Sequence, residues 1–219
     1  MRARKPGLAL LAGFLILASA SQARADIIVL RPLDTGREGQ YSNLAAGTHQ
    51  QVADPFVLSE TMTLESLLWY GRYDGVVTQA TFNFTIRLFA AADGAPALTP
   101  IQQLDVLVAS TALSADPVPW RSYSTALPAW TIGPGTYWLS ILENDPGTPA
   151  MGSTQWLWGD TFGTGTRAIR NSDGTAWAAG PDVNHAFTLE GSRAVPEPSS
   201  LLLLGVGLAG LARRFRRPR

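Results

Sequence analysis

The chain contains no cysteine, and its single lysine is Lys5. Disulfide bridges, thiolate metal sites and a cysteine nucleophile are therefore excluded. The only histidines, His49 and His185, are more than a hundred residues apart, and neither a His-Glu-x-x-His nor a Gly-x-Ser-x-Gly motif occurs. The sequence thus lacks the signatures of zinc hydrolases and of serine hydrolases with a nucleophile elbow.

Positive charge is scarce in the central part of the chain. Residues 26 to 195 hold 16 Asp and Glu residues against 8 Arg and no Lys, a formal charge of −8. Nucleic acid, which needs a basic face, is therefore not an expected partner. An acidic exopolysaccharide would also be repelled unless divalent cations bridged the two.

The N-terminal residues have the three parts of a secretory signal peptide. Arg2, Arg4 and Lys5 precede an apolar stretch over residues 8–20, and Ala23-Arg24-Ala25 forms an A-x-A cleavage site. We therefore predict a signal peptide at residues 1–25, removed by cleavage between Ala25 and Asp26. The mature domain is expected at residues 26–194, on the exported side of the membrane.

The C-terminal residues combine prolines, an apolar run and arginines. Residues 201–212 are all apolar or small, and a helix of that length spans about 18 Å of a hydrocarbon core about 30 Å thick. This predicts a short transmembrane helix whose arginines stay in the cytoplasm. The sorting signal is assigned to residues 195–219, and its marker residues are Val195, Pro196, Glu197, Pro198, Arg213, Arg214, Arg216 and Arg217.

This order of Pro-Glu-Pro, apolar helix and arginine cluster resembles the PEP-CTERM sorting signal of Gram-negative bacteria that produce exopolysaccharide. The same signal is sometimes labelled the C-terminal domain of ice-binding proteins. The resemblance implies recognition and processing by exosortase, a membrane transpeptidase-like enzyme. It also implies transient anchoring in the inner membrane, followed by display at the cell surface or in the extracellular matrix.

The mature domain has the pattern of short strands separated by turns. Phe82, Phe84, Ile86 and Leu88 alternate with polar residues, as in a strand with one buried face. Further strands are predicted at residues 27–30, 51–58, 63–70, 104–110, 137–141, 155–158 and 186–189, with turns at Asp93-Gly94, Pro134-Gly135, Asn144 to Gly147 and Ser172 to Gly174. No segment of the domain carries a helical stripe. The predicted fold is an all-β antiparallel sandwich, jelly-roll-like.

The order of these motifs is similar to that of a group of PEP-CTERM proteins for which no catalytic residues are established. The matching segments are Ala53-Asp54-Pro55-Phe56, Trp69-Tyr70-Gly71, Phe82-Asn83-Phe84, residues 135–140, Trp156-Leu157-Trp158 and residues 186–189. Pro55 departs from the Ala-Asp-Asp-Phe form of the first motif. The resemblance implies a fold and an exported protein, and it transfers no catalytic residue.

Aromatic residues are the best binding candidates in the sequence. Trp69, Tyr70, Trp138, Trp156 and Trp158 fall on predicted strands, and Trp156 and Trp158 share one strand face because they are two residues apart. An open aromatic face would stack on sugar rings. The alternative is core packing, because large aromatic side chains dominate the interiors of sandwiches.

The expected function is that of a non-catalytic surface or matrix protein that binds exopolysaccharide, with no cofactor. One alternative is a secreted polysaccharide-acting enzyme that uses paired carboxylates. Another is an ice-binding protein, suggested only by the label on the tail. A calcium site built from turn residues such as Asp93, Asp160 and Asp173 is a minor possibility, since none follows an EF-hand spacing.

Overall fold

The computed structural model describes residues 25–43, 50–144 and 154–193, and these residues form thirteen β-strands and no helix. The first seven strands are β1 (Asp26–Arg31), β2 (Gln40–Tyr41), β3 (Gln51–Leu58), β4 (Met62–Tyr73), β5 (Thr81–Ala92), β6 (Ala95–Pro96) and β7 (Gln102–Ala112). The remaining six are β8 (Arg121–Ile132), β9 (Gly135–Glu143), β10 (Trp156–Trp158), β11 (Ala168–Arg170), β12 (Ala178–Ala179) and β13 (Phe187–Arg193).

The strands pair in one continuous path, in the order β1-β13-β4-β8-β7-β5-β9-β3-β11-β12. All the ladders between these strands are antiparallel. Strands β7 and β8 stay paired through Ser110–Ala112 and Arg121–Tyr123, so the two halves of the sheet remain joined. The all-β prediction is confirmed, but a single sheet curled into a half-barrel replaces the predicted sandwich of separate sheets.

At one end of the half-barrel, short β-ladders and an isolated β-bridge connect strands of the two halves. Strand β10 pairs with the end of β4 and with β2. Beyond β2, Asn43 bridges to Glu143 at the end of β9, and the backbone N–H of Glu143 donates to the Ser42 carbonyl at 3.0 Å. These contacts link the two halves of the sheet on the side away from the β7–β8 connection.

The core lies inside the curl of the sheet. On β5 the predicted alternation is confirmed, because Phe82, Phe84, Ile86 and Leu88 are fully buried. The two phenylalanine rings meet aromatic side chains of the opposite half: Trp69 packs edge-on against Phe84 at 5.2 Å between ring centroids. Burial of these apolar faces supplies the main stabilising free energy of such a fold.

Strand β8 is the long strand that the sequence pattern did not predict. It carries Pro128, a residue usually confined to strand edges and bulges. The register between β4 and β8 shifts where Leu64 pairs with Trp130 and Ser66 pairs with Ala126, so three residues of β8 face one of β4. Ala129 within this bulge has a φ of 50°. The bulge accommodates the proline and interrupts the two-residue alternation.

The Asp93-Gly94 turn is confirmed as the hairpin between β5 and β6. Asp93 and Gly94 have φ values of 52° and 80°, and Ala92 pairs with Ala95 across the turn. Positive φ at both central residues is the geometry that favours Asp-Gly in a two-residue hairpin. The predicted Asn144–Gly147 turn, the signal helix and the C-terminal helix extend over residues outside those described.

Candidate functional site

The aromatic residues predicted to bind sugar are mostly in the core. Trp69, Trp156 and Trp158 have no exposed surface, Trp138 is 5% exposed, and Tyr70 alone among them is half-buried. The indole of Trp156 lies over Gly71, where any Cβ would collide with the ring. Of the two alternatives for Trp156 and Trp158, the structure supports core packing. The rings of Phe84 and Tyr123 pack on Trp156, and those of His185 and Phe187 pack on Trp158.

A buried polar network surrounds His185. Its Nδ1 lies 2.7 Å from Asp54 Oδ2, and its backbone N–H donates to the same oxygen. On the other side of the ring, Arg167 Nη1 lies 3.2 Å from His185 Nε2 and donates to Asp160 Oδ1 at 3.1 Å. The indole of Trp158 stacks on the imidazole at 4.5 Å. Arginine only donates, so Nε2 accepts and the proton is placed on Nδ1, facing Asp54.

Two carboxylates thus flank one histidine, which is the grouping that an acid–base enzyme would need. A catalytic group must reach its substrate, however, and His185 and Asp54 have no exposed surface. Arg31 adds a second cation, with Nη1 at 3.9 Å from Asp54 Oδ2. Burial lowers the pKa of Arg31, and the Asp54 carboxylate acts in the opposite direction. The charges of this network are therefore paired with one another, and the network serves to hold the structure together.

Two of the turn residues considered for calcium, Asp160 and Asp173, are held by arginines. Asp160 pairs with Arg167, and Asp173 pairs with both Arg87 and Arg170. In the described part of the chain, no three acidic or histidine side chains gather where they could hold a metal ion.

A cavity of about 180 Å³ lies on the outer side of the second half of the sheet, and we call it the indole cavity. Its walls come from the tip of the β5–β6 hairpin, from Trp138 on β9, and from residues 166–168, 177–180 and 182. Trp138 points away from the main core because it alternates with Leu139 along β9. It packs in a second cluster with Ala53, Phe89 and Ala168, against which the half-buried Trp177 lies.

Arg170 fixes the position of Trp177. Its guanidinium carbon lies 4.4 Å from the Trp177 ring centroid and 5.4 Å from that of Phe89. Burial lowers the pKa of Arg170, and Asp173 opposes that shift through a 2.8 Å hydrogen bond with Nη2. Trp177 Nε1 also donates to the carbonyl of Ala97 at 3.2 Å. The indole is thus a preformed wall, with part of its ring open to solvent.

Two hydrogen-bond donors among the lining residues are unused. Trp138 Nε1 and Arg167 Nε are buried, and neither has an acceptor among the residues described. Buried N–H groups without acceptors cost free energy, and both atoms are closed off from the open part of the cavity. The carboxylate of Asp182, on an exposed residue, lies at the edge of the cavity.

Sequence reasoning named Trp138 but missed Trp177, Arg167 and Asp182. Trp177 follows a turn and precedes the two-residue strand β12, so no strand pattern drew attention to it. The signal that could have identified it was a large aromatic residue in a polar loop. One such residue is weak evidence for a binding site.

Comparison with known families supplies the cellular context. A family model described as the PEP-CTERM protein-sorting motif matches residues 194–217. The chain carries a PEP-CTERM sorting signal. The resemblance seen in the tail is thereby confirmed, and all eight predicted marker residues lie in the matched segment. The motif marks an exported protein whose sorting partner is exosortase.

The remaining comparisons and the membrane search are negative. No curated protein and no solved structure matches the chain significantly. Among residues 25–43, 50–144 and 154–193 there is no helix long and apolar enough to cross a membrane. The predicted transmembrane helix at the C-terminus, the sorting residues and the signal-peptide residues 1–24 lie outside the described segments.

Proposed function

We propose that this protein is a non-catalytic component of the cell surface or extracellular matrix that binds exopolysaccharide after exosortase processing. The observation that carries this proposal is the PEP-CTERM motif at residues 194–217, because it directs an otherwise unmatched β-domain to the envelope. The indole cavity supports the binding part of the proposal. A half-buried indole that its neighbours hold in place is an arrangement that suits stacking on a sugar ring.

The buried state of the polar network favours binding over catalysis. Asp54 and His185 are enclosed and paired, and they hold β3 against the segment that leads into β13. The indole cavity places Asp182 near Arg167, and it has no second carboxylate among its described lining residues. A glycosidase would need two opposed carboxyl groups across the scissile bond.

The sorting part is tested by neutralising the cytoplasmic end of the tail. Replacing Arg213, Arg214, Arg216 and Arg217 with Gln removes the charge that retains this end in the cytoplasm. We expect loss of tail processing and of surface display, measured by immunoblotting of envelope and culture fractions. The matched control is Arg193→Gln, an exposed arginine just outside the motif. Unchanged processing of the four-fold variant would contradict the proposal.

The binding part is tested by cosedimentation of the purified protein with exopolysaccharide from the producing bacterium. Trp177→Ala removes the open wall of the cavity, and we expect it to weaken binding several-fold, as loss of about 1 kcal/mol of ring contact would. Phe162→Ala is the control, since Phe162 is exposed and is not among the residues lining the cavity. Equal binding by both variants would remove the indole cavity from the proposed function.

A further inference from the structure

We infer that a second cavity binds the carboxylate group of an acidic sugar through Arg72. The cavity has a volume of about 580 Å³ and lies between Arg72 near the end of β4, Trp120 directly before β8 and the β7–β8 loop at residues 113–118, with Thr35 beside them. We call it the arginine cavity. Among the described residues, it shares no lining residue with the indole cavity. The inference rests on the proposed function only for the source of the sugar, which is the exopolysaccharide.

Arg72 has no counter-ion among the described residues. Residues 26 to 195 hold eight arginines, all of which lie in the described segments. Every other one uses its guanidinium in a hydrogen bond or an ion pair: Arg31, Arg37, Arg87, Arg121, Arg167, Arg170 and Arg193. Asp74, two residues beyond Arg72, instead accepts from the Tyr41 hydroxyl at 3.4 Å and from the Gln155 N–H at 2.7 Å. An arginine side chain stays charged in proteins, so this cation is available to an external anion.

The Arg72 guanidinium is held in place while its outer nitrogens stay open. Its central carbon lies 4.9 Å from the centroid of the buried Trp120 ring. Nε is buried without a partner among the described residues, whereas Nη1 and Nη2 are not closed off in this way and retain accessible surface. Stacking on an aromatic face orients a planar guanidinium and leaves its terminal N–H groups for a ligand. Because Arg72 and Trp120 both line the cavity, these open donors lie at its wall.

The donor geometry and the charge together select a carboxylate. Two parallel N–H groups of a guanidinium match the two oxygens of a planar carboxylate, and such bidentate pairs are among the strong hydrogen bonds of proteins. One guanidinium balances one negative charge, so a doubly charged phosphate would keep an uncompensated charge beside Asp116, which also lines the cavity. Residues 26 to 195 carry a formal charge of −8, which repels a densely charged polymer. The site therefore suits a single acidic sugar within a chain of neutral ones.

The other lining residues suit the remainder of a sugar ring. The volume of about 580 Å³ lies within the roughly 300–1,000 Å³ of pockets that hold small molecules. Leu113, which is 47% exposed, and Pro117 supply apolar surface for the C–H face of a sugar. Ser114 and Asp116, joined by a hydrogen bond of 2.6 Å, supply oxygens that can bind hydroxyl groups. Anion donors, apolar surface and hydroxyl-binding oxygens are together what a uronic acid requires.

The arginine cavity lies far from the point where the chain continues into the sorting motif. Arg193, the residue directly before that motif, pairs with Met62 at the start of β4. Arg72 is ten residues further along the same strand, a distance of roughly 30 Å at about 3.3 Å per residue. A protein still held by its tail would therefore present this cavity away from the anchored end.

The test compares three sugars that differ at one position. The full-length protein in detergent micelles is titrated with methyl glucuronide, methyl glucoside and methyl glucoside 6-phosphate, and binding is followed by calorimetry. We expect the glucuronide to bind about tenfold more tightly than the glucoside, the effect of one charge-assisted pair. The phosphate should bind more weakly than the glucuronide, because its second charge is not balanced. A glucuronide that binds no more tightly than either of the other two would overturn the inference.

Two variants assign the preference to Arg72. Arg72→Gln removes the guanidinium, so the preference for the glucuronide over the glucoside should fall from about tenfold to less than about twofold. Arg121→Gln removes the same charge from the neighbouring strand β8, at a residue that is not among those lining the cavity, and should leave the preference unchanged. Loss of the preference in both variants would show an effect of overall charge. Full retention in Arg72→Gln would place the carboxylate elsewhere, and either result refutes the assignment.

Cosedimentation with intact exopolysaccharide distinguishes failure of this inference from failure of the proposed function. If the polymer binds and the glucuronide is not preferred, the carboxylate inference fails while the proposed function stands. If the glucuronide is preferred and the polymer does not bind, the proposed function fails while the arginine cavity still takes an acidic sugar, from another source. The ranking of the three sugars is measured on the unaltered protein, so the outcome does not depend on the folding of a variant.

Discussion

At the scale of single residues, the interior tolerates several polar groups without partners. Tyr123 is buried among aromatic rings, and its ring centroid lies 5.6 Å from that of Trp69 and 5.0 Å from that of Phe84. The Trp156 indole N–H is near enough to act on the Tyr123 hydroxyl, but the two do not form a hydrogen bond of ordinary geometry. Burial raises the pKa of Tyr123 above its ordinary value of 10. The residue therefore contributes aromatic packing, while its hydroxyl costs free energy.

Tyr123→Phe should change how stability depends on pH. Because the pKa of Tyr123 is raised in the folded protein, the unfolded chain releases this proton at a lower pH. The resulting contribution to stability is complete below pH 10 and is lost as the pH rises above 10. Between pH 8 and pH 11 the unaltered protein should lose about 1 kcal/mol more stability than the variant. At pH 7 the variant should be at least as stable, because an unpartnered hydroxyl is removed. Urea unfolding at the three pH values measures both effects, and identical pH slopes would contradict this prediction.

At the scale of elements, the bulge in β8 bends one half of the sheet. It lies where β8 runs beside β4, and it shifts the register between Leu64 and Ser66. A bulge bends its strand and increases the local twist. In this way a single sheet can curl around the aromatic core. The strand was missed because its proline and bulge interrupt the alternation on which strand prediction depends.

Ala129→Gly and Ala126→Gly should differ in their effects on stability. Ala129 has a φ of 50°, a conformation that costs an alanine about 1 kcal/mol and a glycine almost nothing. Ala126 is equally exposed but lies in the regular ladder opposite Ser66, where glycine costs roughly 0.5–1 kcal/mol. We expect Ala129→Gly to be neutral or slightly stabilising and Ala126→Gly to be destabilising in urea unfolding. Equal losses would show that the positive φ carries no strain.

At the scale of the whole molecule, the buried network around His185 joins distant parts of the chain. Asp54 on β3 and His185 before β13 are 131 residues apart and belong to opposite halves of the sheet path. Arg167 and Asp160 attach the segment between β10 and β11 to the same point. The network therefore fixes the loop segment that carries one wall of the indole cavity.

Asp54→Ala should destabilise the entire domain. It leaves the His185 backbone N–H and Nδ1–H without their acceptor and the nearby Arg31 charge without its counter-ion. Breaking a buried charged pair typically costs about 3–5 kcal/mol. Asp116→Ala is the control, since the hydrogen bonds of this exposed residue among the described segments are with Ser114. It should change stability by less than about 0.5 kcal/mol. Urea unfolding followed by tryptophan fluorescence measures both variants. A loss below about 1 kcal/mol for Asp54→Ala would contradict the structural role.

The sequence by itself determined the features that depend on local pattern and on order along the chain. Alternation identified β5, and the predicted bounds of β3 agree with the structure at both ends. The Asp93-Gly94 hairpin follows from the φ preferences of two residues. The sorting signal could be recognised because its prolines, apolar run and arginines form a linear pattern that does not depend on tertiary contacts.

Only the tertiary structure decided which faces are open and which residues meet. Trp156 and Trp158 could equally have formed a binding surface, and they are core because rings from other strands pack over them. Trp138 and Trp177 come together because β9 and the segment before β12 pack on the same side of the sheet. The two-residue alternation of side chains along a strand defines two faces without saying which one will be covered. Burial, and contacts between distant residues, depend instead on how the strands pair across the whole chain.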